Sequence, residues 1–410
     1  MASPCVRGRR WSRAVKMTLY LCFLIPMVAA GIGNTNTIFG QKQKLDIQRH
    51  PDGDIIDCVH IKNQPAFNHP VFRNHTIQMR PSFHPEGLSF DDVSSKSESE
   101  ITQLWHLKGR CPEETIPIRR TKEASSVANY GRNKYPQFDT TDTNRTAFHE
   151  NAIVFVTGDK YYGTKATINA WKPQVQEQVE FSISQLLILG GNAPAELNSI
   201  EAGWMVNYNV YGDYNSRLFA FFYTNKDTNQ TRGCYNLLCS PGFVQNNKEI
   251  ALGGSLNPIS VYAGSQYELH FLNILPSYLH LSFKILQIDL HGMYNEVGHQ
   301  RRGDWWLQVG KKYLMGHWPA SLFVSLSESA LEIQWGGEVT NLQKKWGAHH
   351  NTNGQRKASY FTNLQMVDGS NVLRFPNYSA IIARKPNCYN VTNFINNFYY
   401  GGPGRNPNCP

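Results

Sequence analysis

Long helical periodicity is scarce in these 410 residues, and so are the common signatures of catalysis. The chain has no G-x-S-x-G elbow, no H-E-x-x-H, no Walker loop and no G-x-G-x-x-G after a strand. These absences argue against an α/β-hydrolase, a zincin, a P-loop NTPase and a dinucleotide-binding enzyme. A dispersed Ser-His-Asp triad stays open, because its members need not be close in sequence. No fixed-period repeat is present, which argues against a propeller.

Long apolar runs are also few. The run LYLCFLIPMVAA, residues 19–30, follows Arg7, Arg9, Arg10, Arg13 and Lys16 and ends in small residues. It is interrupted by Pro26 and falls short of the ~20 apolar residues a membrane helix needs. The pattern is that of a secretory signal peptide cleaved near residue 30. The expected product is secreted, extracellular or in a cell wall, with no membrane attachment after signal removal. Residues 1–16 hold five of the 40 basic residues and no acid, so the formal charge of +9 falls to +4 without them. The basic balance therefore belongs largely to the leader, and no nucleic-acid partner is expected.

Cys5 and Cys22 leave with the leader, and six cysteines remain. An even number in a secreted chain implies disulfides. Fifteen pairings are open, and the grouping along the chain favours Cys58–Cys111, Cys234–Cys239 and Cys388–Cys409. A zinc site at the C-x4-C pair lacks a second pair nearby. Sequons stand at Asn74, Asn144, Asn229, Asn377 and Asn390, as in a secreted glycoprotein.

Residues 31–125 read as one unit, with a short helix expected over QKQKLDIQRH and many Pro and His after it. Residues 126–148 are polar and turn-rich, and read as a linker holding a processing site. From 149 to 410 the pattern becomes short strands: AIVFVTG, KATINAW, VEFSISQLLIL, IEAGWMVNY, RLFAFFYTN, DWWLQVGKKYLMGHW, ALEIQWGGEV and ASYFTNLQMVD. Alternation, β-branched and aromatic residues, and Gly, Asn and Pro between runs predict an all-β antiparallel sandwich.

Two carboxylates stand out. In LNSIEAGWMVNY, Ile200, Ala202, Trp204 and Val206 share one face, and Glu201, Gly203 and Met205 share the other. In LEIQWGGEV, Glu338 shares a face with Gly336 and Gln334, and Trp335 lies behind. A glycine beside a carboxylate leaves room for another backbone to approach, as a substrate peptide would. Two carboxyls in one cleft can divide base and acid roles. Acidic peptide hydrolysis and glycoside hydrolysis both fit such a pair. A sandwich that binds or cleaves carbohydrate is the second reading.

The strings DGDIIDCVHI, QPAFNHP, MRPSFHPEG, YYGTKATINAW, LNSIEAGWMV, GCYNLLCSPGFVQ, WWLQVG, GHWPASLF, WGGEV and YYGGPGRNPNCP, spread over residues 42–410, resemble the neprosin family of plant secreted proteins. The resemblance implies an N-terminal activation domain, acting as an intramolecular inhibitor, ahead of a β-sandwich peptidase domain. It implies hydrolysis after proline in acid by a pair of glutamates, Glu201 and Glu338, with no metal and no cofactor. Proline-containing peptides and proteins are then the partners, and a monomer is expected. The same resemblance implies the three local disulfides.

Two stretches depart from the family. Residues 271–300 interrupt what relatives make a short hairpin. After WGGEVTN, LQKKWGAHHNTNGQRK replaces a Gly-rich segment, and an inactive relative acting as a binding protein is the third reading. His50, His60, His69, His75, His84 and His106 crowd the front unit, and their protonation is expected to loosen it in acid. Pro65, Pro70, Pro81 and Pro85 are turn residues or, in one case, a plug in a proline-selecting cleft. Trp204, Trp305, Trp306, Trp318 and Trp335 are core residues or ring pockets.

Overall fold

The computed structural model describes residues 50–72, 75–82, 84–88, 102–121, 147–192, 196–225, 233–276, 303–342, 356–383, 385–392 and 396–402. The leader, the expected helix over 41–50 apart from His50, most of the linker, residues 277–302 and residues 343–355 lie outside these.

The front unit is built on a two-stranded ladder, β1 (Ile56–His60) against β2 (Thr115–Arg119). A disulfide between Cys58 and Cys111, with Cα atoms 5.5 Å apart, ties the ladder to the turn before β2. Pro65 and Pro70 each open a short 3-10 helix. Their fixed φ and missing N–H suit a first turn.

Sixteen further strands follow. They are β3 (Ala147–Tyr161), β4 (Gly163–Asn169), β5 (Phe181–Gly190), β6 (Asn198–Asn207), β7 (Arg217–Tyr223), β8 (Gly233–Tyr235), β9 (Val244–Gln245) and β10 (Glu268–Ile274). Then come β11 (Trp305–Val309), β12 (Tyr313–Trp318), β13 (Ala330–Leu342), β14 (Ser359–Val367), β15 (Leu373–Arg374), β16 (Ala380–Ala383), β17 (Asn390–Thr392) and β18 (Phe398–Gly401). One sheet runs β16-β3-β13-β5-β6-β7-β8. The other runs β17-β18-β14-β4-β10-β11-β12-β9, with β15 on β14. Every strand pair in both is antiparallel.

The two sheets share one core. Val154, Leu186, Ile200, Trp204, Leu218 and Trp335 from the seven-stranded sheet join Ile168, Phe271, Trp305, Met315 and Phe361 from the other. Alternation along each strand sends these residues inward and their neighbours to the outer face. Indole N–H groups bridge the sheets: Trp204 Nε1 donates to the Asn169 carbonyl and Trp335 Nε1 to Thr164 Oγ1, both at 2.9 Å. Trp204, Trp305, Trp318 and Trp335 are thus core residues, and Trp306 packs with Leu272, Ile274, Val367 and Leu373 in a separate cluster.

All eight expected strand regions are strands. One boundary moves. Residues 271–274 belong to β10, which pairs with β4 and β11 in continuous register.

Candidate functional site

The outer face of the seven-stranded sheet holds both sequence-singled glutamates. Inward residues Ile200, Ala202 and Trp204 of β6, and Ile333, Trp335 and Val339 of β13, all join the shared core. Glu201 and Glu338 alternate with them and so share the opposite face.

Register then fixes their relation. Across β6, β5 and β13, Glu201 is level with Leu187 and Gln334. The next outward level is Gly203, Gln185 and Gly336, and the next is Met205, Ile183 and Glu338. The glutamates stand at opposite corners of this three-by-three grid with Gln185 at its centre. On a flat sheet their Cα positions would be about 16 Å apart, from ~4.8 Å per strand and ~3.3 Å per residue. They flank Gln185 rather than touch.

The two glycines beside Gln185 need a reading different from the sequence one. A Cβ on Gly203 would lie 1.9 Å from the Ser184 carbonyl oxygen, and one on Gly336 would lie 2.2 Å from that of Ala152. The backbone that comes close is the adjacent strand, not a substrate. The consequence is still a shallow floor. A small hollow, with room for about one water molecule, lies beside Gly336, lined by Ile153, Gln185, Leu187, Gln334, Gly336, Gly337 and Glu338. Gln185 Oε1 is buried and has no hydrogen-bond partner among the described residues.

Glu201 is 0 % exposed, and Ser199 Oγ donates to its Oε1 at 3.1 Å. Phe221 is its cross-strand partner on β7, and Phe219 is level with Gly203. Both phenyl rings lie against Tyr235, with centroids 4.4 and 6.1 Å away. Gln334 Nε2 donates to Glu332 Oε1 at 2.5 Å, so Glu332 orients the carboxamide level with Glu201. Behind β13, Tyr389 and Tyr400 fill the space under Gly337. Burial first, then Tyr400 and Glu338, hold the Tyr389 hydroxyl well above its ordinary value, so it stays protonated. Gln185, Gln334 and Tyr389 were not singled out from sequence. Their placement depends on register, which the sequence does not display.

The front unit docks elsewhere on the sandwich. Asp54 Oδ1 accepts from Arg119 Nε at 2.7 Å, and its Oδ2 accepts from Arg217 Nη1 at 2.8 Å. Arg217 at the start of β7 also donates to Asp213 (3.0 and 2.6 Å) and to the Gly253 carbonyl. Both guanidinium groups lie over the Tyr211 ring, 5.4 and 5.6 Å from its centroid. Burial pushes Asp54 up, but the hydrogen bonds and charges of Arg217 and Arg119 outweigh it and hold the carboxyl below the usual range. Burial raises the Tyr211 hydroxyl to about 12.

Other contacts extend this docking along the nine-stranded sheet. Gln64 exchanges hydrogen bonds with the backbone of Gln245 on β9. Gln103 does so with Ala251, and Glu86 pairs with Val372 beside β15. His75 Nε2 lies 3.1 Å from His317 Nε2 on β12. Burial lowers His50, His75 and His84 from the ordinary imidazole value and takes His317 to about 3. Pro65 and Pro70 open their 3-10 helices, Pro81 and Pro85 lie in irregular segments, and Pro117 lies within β2.

Cys234 and Cys239 form the expected small ring. Cys388 is buried and disulfide-bonded, and Cys409 lies outside the described residues. Asn377 is exposed on the approach to β16, and Asn390 is half-buried in β17. Asn74, Asn144 and Asn229 lie outside the described residues.

A family model described as Neprosin matches residues 178–403, and one described as Neprosin activation peptide matches residues 47–155. The fold is similar to solved structures of two peptidases. One is scytalido-glutamic peptidase with a transition state analog inhibitor: 8% identity, 62% of this chain and 99% of that chain covered, TM-score 0.34. The other is SCP-B, a member of the Eqolisin family of peptidases in complex with a tripeptide: 10% identity, 62% and 97% covered, TM-score 0.31. The Neprosin match spans more than half of the chain and includes both glutamates and the whole grid around Gln185. The chain belongs to the neprosin family of peptidases and carries that family's activation peptide ahead of its neprosin domain.

Proposed function

We propose that this chain is the precursor of a glutamic endopeptidase that hydrolyses the bond after proline in acid, with Glu201 and Glu338 as its catalytic pair. The observation that carries the reading is the grid. Two carboxyls from strands two apart face the same side, at opposite corners of a grid whose centre is the Gln185 carboxamide between Gly203 and Gly336; a small hollow beside Gln185 is lined by Glu338. A peptide laid over Gly203 and Gly336 has its scissile carbonyl above Gln185, with a carboxyl on either side.

The chemistry follows from that placement. The ionised carboxyl takes a proton from a water molecule, and the resulting hydroxide attacks the carbonyl carbon. The Gln185 Nε2 group donates to the oxygen that gains charge. The second carboxyl, protonated in acid, gives its proton to the departing amine, and the C–N bond breaks. Phe219 and Phe221 beside Glu201 offer an apolar aromatic wall suited to a pyrrolidine ring, which supports the proline preference.

Glu201 is completely buried among residues of its own domain, so a substrate reaches it only after those residues move. Paired cysteines fit secretion, glycosylation and an oxidising compartment. The mature domain acts as a monomer. The test is a digest of a peptide panel by the processed protein between pH 3 and 7, with fragments identified by mass. Cuts after proline are expected, lost in Glu201→Gln and Glu338→Gln. Cuts with no preference for proline refute the specificity, and equal cutting by all three forms refutes the glutamate pair.

A further inference from the structure

Away from the glutamates, one cluster joins the activation peptide to the neprosin domain through ligand-type atoms alone. His75 comes from the activation peptide. His317 lies on β12, and Asp304 lies just before β11. One ligand atom from each lies within 4.8 Å of the others. His75 Nε2 is 3.1 Å from His317 Nε2, which is 3.6 Å from Asp304 Oδ2.

These separations match a coordination polyhedron. Zinc binds imidazole nitrogen and carboxylate oxygen at ~2.0–2.2 Å, so neighbouring ligand atoms of a tetrahedral site are roughly 3.3 Å apart. The observed 3.1 and 3.6 Å bracket that edge. Two neutral imidazoles facing each other through Nε2 satisfy only one donor and one acceptor, whereas a cation accepts both lone pairs and the carboxylate charge together.

The donors are held in place. His317 is fully buried, tilted on Trp306 with ring centroids 4.7 Å apart. His75 packs on Phe72 and His317, at 5.4 and 5.3 Å. Asp304 Oδ1 accepts from the Ala320 N–H at 2.9 Å, and Gln78 Nε2 of the activation peptide donates to its Oδ2 at 3.2 Å. These contacts orient a carboxylate toward the two rings, as outer-shell partners of metal ligands do.

We propose that His75, Asp304 and His317 form a zinc site that clamps the activation peptide to the neprosin domain. Three protein ligands leave a fourth tetrahedral position for a water molecule. His317 Nδ1 has no hydrogen-bond partner among the described residues. A missing outer-shell partner costs about 10–100-fold in affinity, so the clamp is reversible rather than permanent. Release of the activation peptide removes His75 and leaves two ligands, so zinc favours the docked precursor. At a free zinc concentration a hundred times the dissociation constant, that preference is about a hundredfold.

The test uses the purified full precursor at pH 7, stripped with chelator, and reads zinc by equilibrium dialysis and elemental analysis. No catalysis is involved, so failure here is separate from failure of the peptidase assignment. One zinc per chain is expected for the wild type and for His84→Ala, with binding at least tenfold weaker in His75→Ala and Asp304→Asn. Cobalt in place of zinc is expected to give tetrahedral absorption bands that His75→Ala abolishes. His75 is half-buried and Asp304→Asn is isosteric, so both variants fold, as their circular dichroism should show. Zinc uptake unchanged in both variants, or no uptake by the wild type below millimolar zinc, overturns the site.

Discussion

Replacing Asp54 by Asn should weaken the docking of the activation peptide on the neprosin domain. The carboxylate is 2 % exposed and Arg217 is 0 % exposed, so neither can turn to water. In the wild type, Arg119 and Arg217 are balanced by Asp54 and Asp213. The Asp54→Asn change would leave one uncompensated positive charge in that buried cluster. Breaking one side of a buried pair costs about 3–5 kcal/mol. The carboxamide introduced there keeps one acceptor oxygen, so at least one charge-assisted hydrogen bond is lost, worth about 1.5–3 kcal/mol, and the other is weakened. Arg217 keeps Asp213 and the Gly253 carbonyl, which places the expectation nearer the lower end of the range for a broken pair. Urea unfolding of the precursor at pH 7, followed by tryptophan fluorescence, measures it. Adding Arg119→Gln restores charge balance, so the double variant should lose less than the sum of the two single losses.

The sign with pH follows from a depressed carboxyl. Its stabilisation is complete above the unfolded value near 3.8 and is lost as pH falls through the lower folded value. The gap between wild type and Asp54→Asn should therefore stay constant from pH 7 to about 5 and close only below 3.8. A loss under about 1 kcal/mol, strict additivity with Arg119→Gln, or a gap that closes near pH 6 would refute the reasoning.

Gln185→Leu should leave the unfolding midpoint nearly unchanged while lowering kcat/KM about 10²–10³-fold, the usual loss for one donor to a developing oxyanion. Gly203→Ala should destabilise the domain by ~3 kcal/mol or more in thermal unfolding, because its Cβ would meet the Ser184 carbonyl at 1.9 Å; a neutral result contradicts the strand register. Trp335→Phe removes the indole bond to Thr164 Oγ1 and should cost about 1–3 kcal/mol by the same assay.

Strand alternation made much of the fold legible. Ile200, Ala202 and Trp204 declare an inward face, and Glu201 is then outward by periodicity alone. The same holds for Trp335 and Glu338. Short edge elements such as β9, β15 and β16 were not legible, since two to four residues carry too little pattern. Gln185 was hidden inside FSISQLLIL, whose buried run gives no clean alternation. Its importance comes from lying between Gly203 and Gly336, a fact of register across three strands. The Asp54–Arg217 pair spans 163 residues, and no local signal links its two ends. Gly203 was legible as a site of close backbone approach, but not that the approaching chain is β5. Glu201 and Glu338 were recognised through a family resemblance, and register supplied what the resemblance lacked, a shared face with a carboxamide between them.

The central claim is that Glu201 and Glu338 act as one unit on a peptide bond. The measurement is kcat/KM of the processed enzyme on one proline-containing peptide in acid, for Glu201→Gln, Glu338→Gln and the double variant. Residues that work together are strongly non-additive, so each single change should cost at least about 10³-fold and the double little more than either. Losses that multiply in the double variant, or full activity in either single one, would contradict the account.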